Sequence, residues 1–256
     1  MDQMPSYFDA HCHLNDASFD ADRSFVLNAM RAHGIQACCA GWDLPSSHAA
    51  LQLANASAQL RAAVGIHPGY LDGWDESALR SLAEDPLACA IGECGLDPSV
   101  SVEMDRQIAL FQAQLDLALC VGKPAVLHVR GAHAQAIQLL KARKSLPSCM
   151  LHGASASAEQ IREYVKLGCM ISFGGVITWS GARKAVRSVQ VVPYPQLLIE
   201  TDAPFQAPDP WRHERNTPEH LPSIGRTIAR LLGISEDELA AITTRNANRF
   251  FDIRSN

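Results

Sequence analysis

Short apolar runs alternate along the chain with longer stretches in which apolar residues recur every three or four positions. The runs are Tyr7 to Leu14, Ile35 to Trp42, Ala62 to His67, Leu87 to Leu96, Ala125 to Arg130, Cys149 to Gly153, Cys169 to Gly174 and Leu197 to Asp202. They predict strands, and spacings such as Phe25-Val26, Ala29-Met30 and Leu110-Phe111, Leu115, Leu117-Ala118 predict the helices between them. A β-α alternation repeated eight times implies a parallel sheet, and closing it removes both edges. The expected fold is α/β, a TIM (β/α)8 barrel forming one domain over residues 1–256. An open doubly wound sheet fits less well. No Gly-x-Gly-x-x-Gly turn follows the first strand, and polar residues end many strands rather than those at one switch point.

Those polar ends are His11, His13, His67, Glu93, His128, His152 and Asp202. A barrel keeps its chemistry where its strands end. In the first run alternation is expected to put His11 and His13 on one face, followed by Asp9, with Cys12 opposite. Glu93 lies between Gly92 and Gly95, which allow close approach of neighbouring atoms, and a carboxylate there is costly to bury without a partner. Each residue alone has a structural reading: a satisfied core histidine, a hydrogen-bonded acid, or, for Asp202, a turn-former. Together, four histidines (His11, His13, His128, His152) and two carboxylates (Glu93, Asp202) at five strand ends point to metal. Six ligands exceed the needs of one tetrahedral ion, so two divalent ions are expected, with zinc, manganese and magnesium all open. Such a pair activates water for attack on a phosphorus or carbonyl centre, with Asp202 as ligand and proton acceptor and Glu93 bridging.

Composition narrows the partners more than the fold. A length of 256 residues suits one barrel, and 47% hydrophobic with 19% charged residues excludes a disordered or repetitive chain. The net charge of -5 argues against a broad basic grip on long nucleic acid, so any such contact is expected to be local. Met1-Asp2-Gln3-Met4-Pro5-Ser6 lacks the basic start and apolar stretch of a signal peptide, and no run reaches membrane-spanning length; a cytoplasmic protein without a membrane role is expected. The eight cysteines contain no Cys-x-x-Cys and are read as buried, reduced thiols. No heptad or apolar stripe indicates an obligate protein partner.

The chain also resembles the TatD-related deoxyribonucleases, a branch of the metal-dependent amidohydrolase superfamily. The matching segments are Asp9-Ala10-His11-Cys12-His13-Leu14, Gly65-Ile66-His67-Pro68-Gly69, Gly92-Glu93-Cys94-Gly95-Leu96-Asp97, His128-Val129-Arg130 and Leu198-Ile199-Glu200-Thr201-Asp202-Ala203-Pro204. Arg215-Asn216-Thr217-Pro218 and Asn246-Ala247-Asn248-Arg249-Phe250-Phe251 follow. The resemblance implies a TIM-barrel hydrolase with a divalent metal centre at His11, His13, Glu93, His128, His152 and Asp202, cleaving phosphodiester bonds in DNA, sometimes from the 3′ end. No lysine ends a strand, so the carbamylated lysine of other superfamily branches has no counterpart, and Glu93 stands at the fourth strand instead. The chain departs from the family at His152-Gly153-Ala154-Ser155-Ala156, where His-Cys-Phe-Ser-Gly is common, and at Gly131, where an acid is common.

Outside the ligand set, His67 is expected to bind a substrate phosphate and Arg130 to clamp an anionic group. Arg183, Lys184 and Arg187 with nearby Trp179, and Arg212, His213 and Arg215 in the Pro-rich loop after Asp202, form two local basic clusters. The expected activity is thus a metal-dependent phosphodiesterase acting on DNA or a nucleotide-like substrate. The alternatives are a hydrolase of a small phosphoester, amide or lactone, and a non-catalytic metal-binding protein.

Overall fold

In the computed structural model, which describes residues 7–252, the apolar runs form β1 Tyr7–Cys12, β2 Ile35–Ala40, β3 Leu60–Val64, β4 Ala88–Leu96, β5 Ala125–Val129, β6 Cys149–Leu151, β7 Met170–Phe173 and β8 Leu197–Ile199. The stretch 1–6, read above for a leader, lies outside the described residues. The strands are parallel and pair in sequence order from β1 to β8. The last seam is joined beyond the strand ends, where the Asp202 amide donates to His11 O (2.9 Å) and the His13 amide to Ala203 O (2.7 Å). The result is a nearly closed TIM barrel, as the pattern predicted.

Helices α1 Arg23–Ala32, α2 Leu44–Ala56, α3 Glu76–Ala83, α4 Met104–Val121, α5 His133–Ala142, α6 Ala158–Lys166 and α7 Arg183–Val189 connect successive strands, and α8 Leu221–Leu232 and α9 Glu236–Phe250 follow the last. Their starts are locally encoded. Asp43 with Ser46 opens α2 and Ser157 with Gln160 opens α6, each a reciprocal side-chain cap on amides the helix leaves unpaired. Val26, Met30, Phe111, Leu115 and Ala118 are buried as their spacing predicts, whereas Phe25 is 70% exposed. Among the described residues no helix is long and apolar enough to cross a membrane.

The apolar side chains separate into two layers. An outer layer packs strands against helices, and an inner one fills the barrel with Phe8, Ala10, Cys38, Ala40, Ala63, Ala90, Val126, Met150, Met170 and Leu198. The C-terminal end of α9 closes this interior from below, Phe251 stacking on Phe8 at 5.6 Å. Asn246, from the C-terminal motif, fixes α9 to the last strand by donating to Tyr194 O and Leu197 O.

The two layers expose a departure from plain alternation. In β1, Phe8 and Ala10 lie in the inner layer but Tyr7 and Cys12 in the outer, so the pattern slips once between Ala10 and Cys12. The β1–β2 register slips at the same place, as a β-bulge does. His11 and His13 come together as expected, their Nε2 atoms 3.3 Å apart, but the expectation that Asp9 follows them fails. Asp9 is instead a clasp in the β1/β8 seam, accepting from the Thr201 amide (2.8 Å), the Thr201 hydroxyl and the His11 amide (3.2 Å). β4 slips likewise between Ile91 and Cys94, around Glu93.

Candidate metal centre

All six residues singled out at the strand ends converge at the C-terminal mouth of the barrel. Glu93 is central. Its Oε1 touches His11 Nε2 and lies 3.2 Å from His13 Nε2 and 3.6 Å from His152 Nε2, while Oε2 lies 3.8 Å from His128 Nδ1. Asp202 Oδ1 is 3.4 Å from His13 Nε2 and 3.9 Å from His11 Nε2. The donor atoms fall into three overlapping groups: His11, His13, Glu93 and Asp202; Glu93, His128 and His152; and His67, Asp97 and His128, with Glu93 joining the first two and His128 the last two. Tight backbone packing sets this arrangement. A Cβ at Gly95 would lie 1.8 Å from His128 O, so only glycine lets β4 approach β5 closely enough to put Glu93 beside His128. Asp202 has a left-handed backbone, φ 58°, which Asp tolerates better than most residues.

The donor chemistry fits divalent ions. His11 Nε2 and His13 Nε2 are 3.3 Å apart, and His128 Nδ1 and His152 Nε2 are 3.1 Å apart, all facing two buried carboxylates. Lone pairs so crowded need a shared positive centre. The far nitrogens of His13 and His128 are held from behind, whereas His11 Nδ1 and His152 Nδ1 are buried without a hydrogen bond. His13 Nδ1 donates to Ala40 O (3.0 Å), leaving Nε2 as a lone pair, and His128 Nε2 lies 3.3 Å from Asp97 Oδ2, leaving Nδ1 free; Glu200 Oε1 approaches His152 Nδ1 only to 3.5 Å, as a charge beside it. Such partners fix the tautomer of a ligating imidazole and raise its basicity. Asp97 and Glu200 were not singled out from sequence.

Electrostatics follow from burial and from this crowding. Burial opposes charge on His13 and His152, but the facing carboxylates together outweigh it, Glu93 with Asp202 at His13 and Glu93 with Glu200 and Asp202 at His152, holding His13 well above the ordinary histidine range and His152 up at about 9. Burial also opposes charge on Glu93 and Asp202, yet the surrounding imidazoles keep both carboxyls below the usual carboxylate range. Asp97 is held low, first by its hydrogen bond with His128. The metal-free site is therefore one in which protons occupy positions that a cation would take.

His67 reaches the same mouth in a different state. Its Nδ1 accepts the Gly69 amide (3.0 Å), so Nε2 carries the hydrogen and points toward Glu93 Oε2, 3.8 Å away. Burial lowers its pKa to about 4, so the ring is a neutral N–H donor at pH 7. Arg130 is exposed at the rim of the main cavity, about 520 Å³, which it lines with His128, His152, Ser155, Trp179 and Gln206. Gln206, also unread from sequence, donates its amide to Asp202 Oδ2. The two basic clusters fare differently. Arg212 lies over Trp179 at 4.3 Å, and Arg183 and Arg187 line a shallow cavity beyond that ring. Arg215 does not reach the site: it pairs through both terminal nitrogens with Asp22 and lies over Phe19. At the divergent sixth-strand loop, Gly153 has φ 52° and donates its amide to Glu200 Oε1 (2.6 Å).

A TIM barrel whose mouth gathers imidazoles around a shared carboxylate defines the class of metal-dependent hydrolases. A family model described as TatD related DNase matches residues 8–252, and the chain belongs to that family. It is 34% identical over 252 residues to the uncharacterized metal-dependent hydrolase YabD of Bacillus subtilis, covering 96% of this chain and 99% of the relative. It is 35% identical over 258 residues to the 3'-5' ssDNA/RNA exonuclease TatD of Erwinia amylovora, covering 96% and 100%. Among solved structures, the TatD homolog YjjV of Escherichia coli superimposes with a TM-score of 0.90 at 28% identity, covering 98% of this chain and 100% of the other. The protein is a TatD-like metal-dependent hydrolase.

Proposed function

We propose that this protein is a phosphodiesterase acting on single-stranded nucleic acid, working as one cytoplasmic domain with two divalent ions. One observation carries the reading: Glu93 belongs to two ligand groups at once, which suits a bridging carboxylate between paired ions. The exonuclease name of the Erwinia relative, at 35% identity, supports the substrate class. In this reading His11, His13 and Asp202 would hold one ion and His128 and His152 the other, with Glu93 available to both. When bound, such ions supply Lewis-acid neutralisation of phosphoryl charge and a lowered water pKa.

The chain's own groups do the rest. Asp202, ionised and oriented by Gln206, accepts a proton from the attacking water. His67 donates a hydrogen bond from Nε2–H to a non-bridging phosphoryl oxygen, whose negative charge grows as the water oxygen bonds to phosphorus and the P–O bond to the leaving group breaks, and the proton taken up by Asp202 passes to the departing oxygen. Arg130 sits where it can pair with an adjacent phosphate. The test is incubation of metal-loaded protein with end-labelled single-stranded DNA and RNA beside a panel of small phosphoesters, amides and lactones. Metal-dependent shortening of the strands is expected. Turnover confined to the small substrates would instead favour the alternative hydrolase.

A further inference from the structure

The metal cluster opens onto two lobes of different chemistry. The main cavity runs past Arg130 to Trp179, over which Arg212 lies, and the shallow cavity beyond continues to Arg183 and Arg187. A second recess, about 230 Å³, leaves the same floor of His13, His67 and Glu93 in another direction, framed by Trp42, Tyr70 and Phe205. Neither lysine nor arginine lines it, and Asp16 is its one charged side chain outside the cluster.

Two of the frame residues are left in water against the usual preference for burial, Tyr70 at 50% and Phe205 at 53% exposure. The rings are spaced around the floor rather than packed on one another: Trp42 and Phe205 lie 5.5 and 5.9 Å from the His13 ring, and Tyr70 lies 6.0 Å from His67 and 6.5 Å from Trp42. The volume is below the roughly 300–1,000 Å³ of pockets that take a drug-sized ligand, so it accommodates one ring system.

We propose that this recess is a terminal-nucleoside subsite: it stacks the last base of a single strand among Trp42, Tyr70 and Phe205, while Asp16 repels an end that bears a phosphate. The inference rests on the nucleic-acid reading above. Charge sets the direction. The polyanionic body of the strand lies along the lobe with Arg130, Arg212, Arg183 and Arg187, and the single uncharged end enters the lobe with none of them. A paired end cannot enter, because a base held by its complement is not free to lie among three rings. Hydrolysis across the cluster then adds water to one P–O bond and releases one nucleotide, leaving a new end in place of the old.

The test uses metal-loaded protein and labelled oligonucleotides whose final nucleoside is intact with a free hydroxyl, is an abasic sugar with a free hydroxyl, or carries a terminal phosphate, with each change made at the 3′ end in one series and the 5′ end in another. At one end only, the abasic and phosphorylated strands are expected to lose about tenfold in kcat/KM, the size of one base–aromatic stacking contact. The Tyr70→Ala/Phe205→Ala double variant should lose about tenfold on the intact strand and far less on the abasic one, and Asp16→Asn should narrow the gap between hydroxyl and phosphate ends. Both rings are exposed, so metal content and circular dichroism should match the parent protein. Equal rates on intact and abasic ends, an equal loss for the double variant on both, or cleavage of a circular strand as fast as a linear one would overturn the subsite and leave the nuclease reading standing. If no strand is cut at all, both fall together.

Discussion

Asp97 Oδ2 lies 3.3 Å from His128 Nε2, on the side of the ring away from the cluster, while Asp97 Oδ1 is held by the amide and hydroxyl of Ser99 at 2.8 and 2.6 Å. The carboxylate thus fixes which imidazole nitrogen keeps a lone pair for a cation. Asp97→Asn preserves the shape but removes the charge. We expect metal affinity to fall about 10–100-fold, as for other outer partners of a ligating histidine, with little change in fold. Competition against a chelator of known affinity measures it, and unchanged affinity would show that His128 needs no such support.

Asp202→Asn separates ligand from base. Asn tolerates the left-handed backbone at φ 58° and still offers an oxygen, so the barrel should hold its ions. Loss of the proton acceptor should lower kcat by about 10²–10⁴-fold. Turnover with metal content measured on the same sample checks this, and an active, fully loaded variant would assign the base elsewhere.

What could be read from the sequence was the set of strand ends, because eight apolar runs give both the barrel and the residues that finish each strand. The face on which a residue lies near a bulge could not. Alternation put Asp9 beside His11 and His13, but the extra residue in β1 turns Asp9 into the seam, where its bonds to Thr201 close the barrel. Asp97 and Glu200 were unread because a carboxylate behind a ring leaves no spacing signature; its partner nitrogen comes from another strand. Arg215 looked available in a basic cluster, yet Asp22, 193 positions earlier in the chain, engages it. Such pairings are decided by tertiary contact.

His67 separates from the other histidines by its tautomer. Because Nδ1 accepts from Gly69, only Nε2 can donate toward the reacting phosphate. His67→Phe should cost about 10²–10³-fold in kcat, the usual loss for one preorganised donor, and His67→Gln, which keeps an N–H, should recover part of it. With the pKa lowered to about 4, His67 should contribute no acid limb near pH 6.5. A pH–rate profile that loses a limb at that value in His67→Gln would contradict the neutral-donor assignment.

Removing metal should make stability more sensitive to alkali. In the metal-free fold His152 is pushed up to about 9 and His13 is also raised, so both are held as cations by Glu93 together with Asp202 and, for His152, Glu200. A base whose pKa is raised on folding gives stability that is complete below its unfolded value, near 6.5, and lost as pH climbs through the folded value. Buried Asp9, raised to about 8, acts in the same sense, since its neutral form is favoured by the fold and its ionisation with rising pH is costly. Glu93 and Asp202, held low, are ionised throughout this window and do not alter the comparison. Chelator-treated protein should therefore melt several degrees lower at pH 9 than at pH 6.5. In the metal-loaded protein the rings are neutral ligands, so the difference should shrink, and metal affinity should rise with pH as bound protons are displaced. Thermal melts of both forms at the two pH values decide it: a chelated protein more stable at pH 9 would mean that the imidazoles are not holding protons in place of cations.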